Sequence, residues 1–548
     1  MSSTVLKSFL AGSLCLWALW TVLMPRPAGA AGVTIITHGY DADVTGWISA
    51  MAAAMPGYYQ GRHPGVSTNF TVYTMTVTDN SGNYLFAISP NGTAPSATAS
   101  GEIIVKLDWS QLAGGPSAPY DLSTYNVAWA VAQALMATNT IAQLNGHALV
   151  EYPLHLIGHS RGGSLMSELS RQLGTNGLWV DQLTTLDPHP LNNDGNNDSP
   201  LTVVDAPVHT YENILFHDDY WQDLGTGSLD PNGEPVAGAY GRQLTSLAGG
   251  YPSEDGSTDA YQYHSNVHLW YHGTINTNTP VSYSDDGTEV TINATMRANW
   301  WVADEARGAN AGFEYSLIGG GNRLSTDRPL GLPSDPAIRD GYNQNWDLGA
   351  GTGTNRTALP ANNGTWPNII KFDVLGTNSV MAGGLINTEL YYQYAGASNL
   401  TLQIYFDDDF NPKNSNSVSI VSLQPPASGA NAVSLYSNLG LTTTNVPPGV
   451  YSIYARISDG RHTRYLYAPE LVRITAALEP PALDLAPAGD GQYVIGISGV
   501  AGQTVVLQHS TDLQNWAPLV TNILTDSRWT YTNSAAASVQ FYRATVTP

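Results

Sequence analysis

The sequence predicts an α/β class, with a mostly parallel sheet in its N-terminal part and two all-β modules after it. Three observations lead there. A short apolar run, Leu154-His155-Leu156-Ile157, enters Gly158-His159-Ser160-Arg161-Gly162 and is followed by a helical pattern with Leu165, Met166, Leu169 and Leu173 on one face and Gly174 as its stop. Other β-branched runs before residue 275 alternate with helical patterns, which implies parallel strands covered on both faces. Beyond residue 368 the runs are short, aromatic and β-branched, with turn residues between them.

In chain order, Gly32 to Thr37 is a buried strand ending in His38-Gly39-Tyr40, and Val44 to Met55 reads as a helix stopped by Pro56-Gly57. Phe70 to Val77 alternates as a strand does, and Glu102 to Leu107 is another strand, ending in Asp108-Trp109. Ser123 caps a helix expected to reach about Leu144. After the central strand and helix, Gln182 to Leu186 and Tyr211 to Phe216 are strands, and Ser265 to Tyr271 is helical. Trp300-Trp301 reads as core more readily than as a lipid-facing surface. A Gly/Asn/Thr/Pro tract and Pro480-Pro481 mark boundaries. The expected division is 1–30 signal segment, 31–345 catalytic domain, 346–367 linker, 368–478 β-sandwich and 482–548 small β module.

The 548 residues carry a formal net charge of −23. That surface repels nucleic acid and anionic membranes. Lys7, the apolar run Ser8 to Met24 and Ala28-Gly29-Ala30 have the layout of a secretory signal cleaved after Ala30. The one cysteine, Cys15, lies inside it, so a mature chain has neither disulfides nor thiolate metal sites. A secreted protein without a transmembrane segment is the expectation; oligomeric state is not legible.

His38, Asp108, Ser160 and Asp187 fall at C-terminal strand ends, where reactive groups of a parallel sheet collect. A serine needs an imidazole to take its proton and a carboxylate to orient that imidazole. Strand–turn–helix context makes Ser160 the nucleophile, held at a helix N-terminus by a turn whose flanking Gly158 and Gly162 avoid collision. Asp187, directly after a strand and fixed by Pro188, is the acid, preferred to Asp181, Asp205, Asp218 and Asp219. His264, at the end of a polar loop ahead of the last helix, is the base; His268, one turn on, is the alternative. Asp194, Asn196 and Asp198 resemble a calcium loop, but the glutamate of an EF-hand is missing, so a solvated turn is the simpler reading. A structural calcium ion is the one cofactor left open.

These pieces, Thr37-His38-Gly39-Tyr40, Leu107-Asp108-Trp109, Gly158-His159-Ser160-Arg161-Gly162, Leu186-Asp187-Pro188 and His264 with Trp270-Tyr271, resemble the α/β-hydrolase lipases, in particular the pancreatic-type lipase superfamily. The resemblance covers residues 33 to about 275. It implies an α/β-hydrolase fold, oxyanion-binding N–H groups at Tyr40 and Arg161, and the triad Ser160, Asp187 and His264. Arg161 stands where leucine is more usual. The implied activity is hydrolysis of carboxylic esters, lipids foremost, through an acyl-enzyme and without a cofactor. A phospholipase or polyester depolymerase is the enzymatic alternative. A non-catalytic surface-binding or adhesion protein is the alternative of another class.

Overall fold

Strand β5 (Leu154–His159) is buried at every position, because Leu154, Leu156 and Ile157 face apolar neighbours on both sides of a sheet that helices cover. Around it, β1 (Val33–Thr37), β2 (Thr71–Asn80), β3 (Asn83–Pro90), β4 (Ile103–Asp108), β6 (Val180–Leu186), β7 (Ile214–Trp221) and β8 (Tyr240–Gln243) form an eight-stranded sheet in the order β3-β2-β4-β1-β5-β6-β7-β8. The neighbours run parallel, except β3, which folds back antiparallel on β2. The helices are α1 (Trp47–Arg62), α2 (Thr124–Met136), α3 (Arg161–Thr175), α4 (Tyr263–Ile275) and α5 (Ala294–Trp300). A short hairpin, β9 (Val281–Tyr283) with β10 (Glu289–Thr291), lies between α4 and α5.

The computed structural model describes residues 32–547 apart from 63–70, 93–100, 117, 119–120, 145, 196–197, 199–200, 226–230, 254–260, 302–310, 319–355, 361–363, 398, 414–415, 430–433, 477–478 and 535–538. The expected signal segment and Asn196 lie outside the described residues, as do large parts of the linker and of the polar loop before His264. No helix among the described residues is long and apolar enough to cross a membrane.

The expected α/β class is corrected. Among the described residues there are five α-helices, while strands make up 41%, so the chain is mostly β, and the N-terminal sheet is mixed, parallel apart from β3. The alternation of strand and helix fails for identifiable reasons. Asn80-Ser81-Gly82-Asn83 makes a tight turn, with Ser81 and Gly82 at positive φ, so the chain returns as β3 instead of crossing over through a helix. The segments joining β6 to β7 and β7 to β8 contain no helix among their described residues, being rich in Asn, Asp, Gly and Pro.

Smaller departures concern helix ends. Helix α1 runs through Pro56, since packing of Trp47, Ile48, Met51 and Met55 on the sheet outweighs one lost backbone bond. Helix α2 stops at Met136, well before Leu144, where the Thr140 hydroxyl takes the Ala134 carbonyl. His264 is inside the first turn of α4 rather than in the loop ahead of it. Trp300 and Trp301 are buried against Trp270.

Residues Asn368–Thr475 form a three-stranded and a six-stranded sheet packed through Phe372, Leu390, Leu402, Ile404, Phe406 and Ile453. Their aromatic flank joins the core of the first sheet: Tyr454, Tyr465 and Tyr467 belong to the same apolar cluster as Tyr152 and Leu154. Arg464 donates to the Trp179 carbonyl at 3.1 and 3.2 Å, Asn368 to the Gly177 carbonyl at 2.8 Å, and Lys413 Nζ to Glu151 at 2.7 Å. Trp179 and Glu151 precede β6 and β5, so these contacts fall at the strand ends opposite Ser160. Residues Ala482–Thr547 make two three-stranded sheets around a separate core of Ile495, Ile497, Val505, Leu507 and Leu524.

Candidate active site

Ser160 is the residue at which β5 turns into α3, with φ 57° and ψ −129°. A non-glycine residue at positive φ is uncommon and costs on the order of 1–3 kcal/mol. The turn is tight enough that a Cβ on Gly158 would stand 2.1 Å from the Gly162 oxygen. Gly39, at the end of β1, lies against the serine: a Cβ there would come within 2.9 Å of Ser160 Oγ. The serine is buried to within 7% exposure. As the first residue of α3, Arg161 presents a backbone N–H with no intrahelical acceptor next to Ser160. The Tyr40 segment follows Gly39 directly.

The Arg161 side chain turns inward and spends its donors on structure. Its Nε and Nη2 grip the buried Asp205 at 2.7 and 2.8 Å, Nη1 meets Asp121 and the Ala113 carbonyl, and Nη2 meets the Leu122 carbonyl. The guanidinium lies 5.1 Å from the Trp109 ring. A leucine could close none of these bonds, which explains an arginine at this position of the elbow.

Asp187 directly follows β6, also at positive φ (45°), and is fully buried. His264 Nδ1 donates to its Oδ2 at 2.7 Å. Gln222 donates twice, from N to Oδ1 at 2.8 Å and from Nε2 to Oδ2 at 3.0 Å, and the Gly233 N–H reaches Oδ1 at 3.1 Å. Burial pushes the Asp187 carboxyl up to about 7, against the pull of the Gln222 hydrogen bonds and of His159 and His189. With Nδ1 carrying the proton toward Asp187, Nε2 of a neutral His264 is the unprotonated, basic nitrogen. Sequence reasoning missed Gln222 and Gly233; the one signal for Gln222 is its place immediately after β7, beside the end of β6.

The other carboxylates weighed as the acid are engaged elsewhere. Asp205 holds Arg161; Asp218 accepts from Gln182 and Thr184; Asp219 accepts from Thr185 and from the Val236 N–H. Asp181 is buried before β6's midpoint, at the far end of the sheet. Asp194 and Asp198 both face His189, at 2.8 and 3.4 Å. Burial works against a charge on His189, yet these two carboxylates outweigh it and raise its pKa.

His268, the alternative base, packs against Trp47, His159 and Asp285. It is fully buried and stacked on Trp47 at 4.4 Å between ring centroids, and burial holds its pKa well below the usual imidazole range. His159 lies between the two histidines: its Nε2 donates to the His264 carbonyl at 3.1 Å, and its ring sits 4.4 Å from that of His264 and 4.8 Å from that of His268. Burial lowers His159 to about 4. Asp285, in the β9–β10 turn, faces both His159 and His268. Sequence reasoning did not single out His159 or Asp285.

No family model matches the chain, and no curated relative does. Among solved structures, the human OSCAR ligand-binding domain is 13% identical, covering 32% of this chain and 88% of that one at a TM-score of 0.14, which carries no argument about this fold.

Proposed function

We propose that this chain is a serine hydrolase that cleaves carboxylic esters, with lipids as its substrate class, exported after removal of residues 1–30. The observation that carries the reading is the pairing of a serine held at positive φ in a strand–helix turn with a histidine whose Nδ1 is committed to a buried carboxylate 2.7 Å away. Ser160 Oγ attacks the acyl carbon while His264 Nε2 takes its proton, and the same nitrogen returns the proton to the leaving alcohol. Asp187 keeps the imidazole in the tautomer with Nε2 unprotonated and stabilises the imidazolium that forms. The N–H groups of Arg161 and Tyr40 receive the oxyanion of the tetrahedral intermediate. Deacylation repeats the sequence with water as nucleophile.

The lipid substrate class rests on the motif resemblance alone. Phospholipids and polyesters contain the same acyl–oxygen bond, so a panel of triacylglycerols, phospholipids and an aliphatic polyester ranks the substrates. The activity itself is tested by labelling with a fluorophosphonate and by Ser160→Ala on a p-nitrophenyl ester. Covalent labelling that disappears in a folded Ser160→Ala protein, together with turnover, supports the reading. No labelling of the parent protein leaves a surface-binding role for the β modules as the better account.

A further inference from the structure

Three side chains from different elements converge beside the elbow without hydrogen-bonding one another. His159 closes β5, His268 lies in the second turn of α4, and Asp285 occupies the β9–β10 turn. His159 Nδ1 is 3.3 Å from Asp285 Oδ2, and His268 Nε2 is 3.9 Å from the same oxygen. Each residue offers one ligand atom, and the three atoms all lie within 4.8 Å of one another. Both imidazoles have no side-chain exposure, while Asp285 keeps 24%.

The hydrogen bonds around the cluster do not join its three members to one another. A carbonyl oxygen has no proton to give, so the 3.1 Å contact with the His264 carbonyl requires the N–H of His159 to be on Nε2. His159 Nδ1 then presents a lone pair toward Asp285 Oδ2. Among the described residues that nitrogen has no hydrogen-bond partner, and neither ring nitrogen of His268 has one. Buried imidazole nitrogens are ordinarily satisfied. Asp285 Oδ1 accepts from Trp47 Nε1 at 2.9 Å, and the one hydrogen bond to Oδ2 among the described residues is a long 3.3 Å contact from the Ser265 hydroxyl. Two imidazole nitrogens and a carboxylate oxygen thus lie within 4.8 Å of one another.

We propose that His159 Nδ1, His268 Nε2 and Asp285 Oδ2 form a structural site for one divalent transition-metal ion of the zinc class. Ligands held about 2.0–2.2 Å from a tetrahedral ion stand roughly 3.3–3.6 Å apart; the two nitrogen–oxygen distances here are 3.3 and 3.9 Å, and binding would draw the three atoms slightly together. Two imidazoles with one carboxylate suit Zn²⁺, Co²⁺ or Ni²⁺ and not Ca²⁺, which takes six or more oxygens. A water on the exposed side of Asp285 completes the fourth position. The bond from His159 Nε2–H to a backbone carbonyl is the outer contact that metal-bound histidines usually make. That carbonyl belongs to His264, so the ion ties β5, α4 and the hairpin together around the residue bonded to Asp187. The proposal does not depend on the ester-hydrolase reading, because metal binding is measured without substrate.

The test uses the full chain, treated with EDTA, dialysed, loaded with Zn²⁺ or Co²⁺ and desalted. The expected result is about one ion per chain by mass spectrometry of the metal, a higher melting temperature with Zn²⁺ than without, and the intense visible bands of four-coordinate Co²⁺. Asp285→Asn, which keeps an oxygen for Trp47, should retain no ion and show no Zn²⁺-dependent melting shift. A parent protein without retained metal, or an Asp285→Asn protein that retains as much as the parent, overturns the proposal. Should Asp285→Asn fail to fold, the Co²⁺ spectrum of the parent decides: weak bands of six-coordinate cobalt, or none, overturn it.

Discussion

Replacing Gln222 by methionine tests whether the carboxylate of Asp187 works as an ionised group. Gln222 Nε2 donates one of the bonds that hold Asp187, at 3.0 Å, while the Gln222 backbone N–H and the Gly233 N–H stay in place in the variant. A hydrogen bond to a charged group is worth about 1.5–3 kcal/mol, and about 1.4 kcal/mol corresponds to one pKa unit. Losing it disfavours the charged form, so Asp187, already raised to about 7 by burial, rises further, by about 1–2 units. The ionised form is the active one, so the acid limb of the rate profile moves to higher pH. At pH 7 the ionised fraction falls from about a half to roughly 1–10%, and turnover falls about 5–50-fold. The side chain also bonds the Pro231 carbonyl and the Leu224 and Gly225 N–H groups, so some thermal stability is lost as well. The assay is kcat on a soluble p-nitrophenyl ester from pH 5 to 9.5, with circular dichroism at each pH. Gln222→Met should regain most of its rate at the alkaline end, whereas Asp187→Asn should be slow throughout. A Gln222→Met profile superimposable on that of the parent refutes the reasoning.

Other outcomes follow from the same geometry. His264→Ala should lower kcat by about 10⁴–10⁶-fold, while His268→Ala, at a residue packed on Trp47, should cost no more than about 10–100-fold in a folded protein; the reverse ranking moves the base to His268. Glu102 is raised by burial to about 8 from its ordinary 4.5, against its bond from Thr34, so the folded protein holds a proton that the unfolded chain gives up. Its stabilising effect is full below about pH 4.5 and is lost as pH rises toward 8, at up to about 1.4 kcal/mol per pH unit; Glu102→Gln should flatten that slope in thermal melts. A chain ending at Glu479 should hydrolyse esters and melt as the full chain does, whereas one ending at Asn345 should aggregate, because it uncovers Tyr152 and leaves Glu151 without Lys413. An active, monomeric 31–345 fragment refutes the second half.

Local signals made the elbow legible. Gly158 and Gly162 bracket Ser160 because backbone meets backbone there, and any such close approach leaves glycines in the sequence. Asp187 was legible because an Asp-Pro after a buried strand ends that strand at the same edge of the sheet. The histidine's number could be read but not its setting: one residue of helix start decides whether His264 is loop or first turn, and boundaries depend on capping by Gln262, which has no strong preference of its own. What escaped was everything assembled across long separations. Gln222, 35 positions after Asp187, and Asp285, 126 positions after His159, are ordinary surface-type residues until the sheet and hairpin bring them in. The class misreading has the same origin, since a strand followed by a polar stretch looks alike whether the stretch becomes a helix, a hairpin or an irregular loop.

The sheet places its reactive residues by extending its own hydrogen bonding one step past the strands. Ser160 follows β5, and its N–H bonds the carbonyl of Leu186, the last residue of β6, at 3.0 Å. Asp187 follows β6, and its N–H bonds the Tyr220 carbonyl in β7 at 2.7 Å. Each residue is therefore pinned to the neighbouring strand while its backbone swings to positive φ, so the ladder bonds offset a conformation that would otherwise relax. Gln222, the first residue after β7, adds the next step by donating to Asp187. Three adjacent strands thus pass fixed positions to Ser160, Asp187 and Gln222 in turn. The sandwich, docked at the opposite strand ends, braces the sheet from below without entering the site.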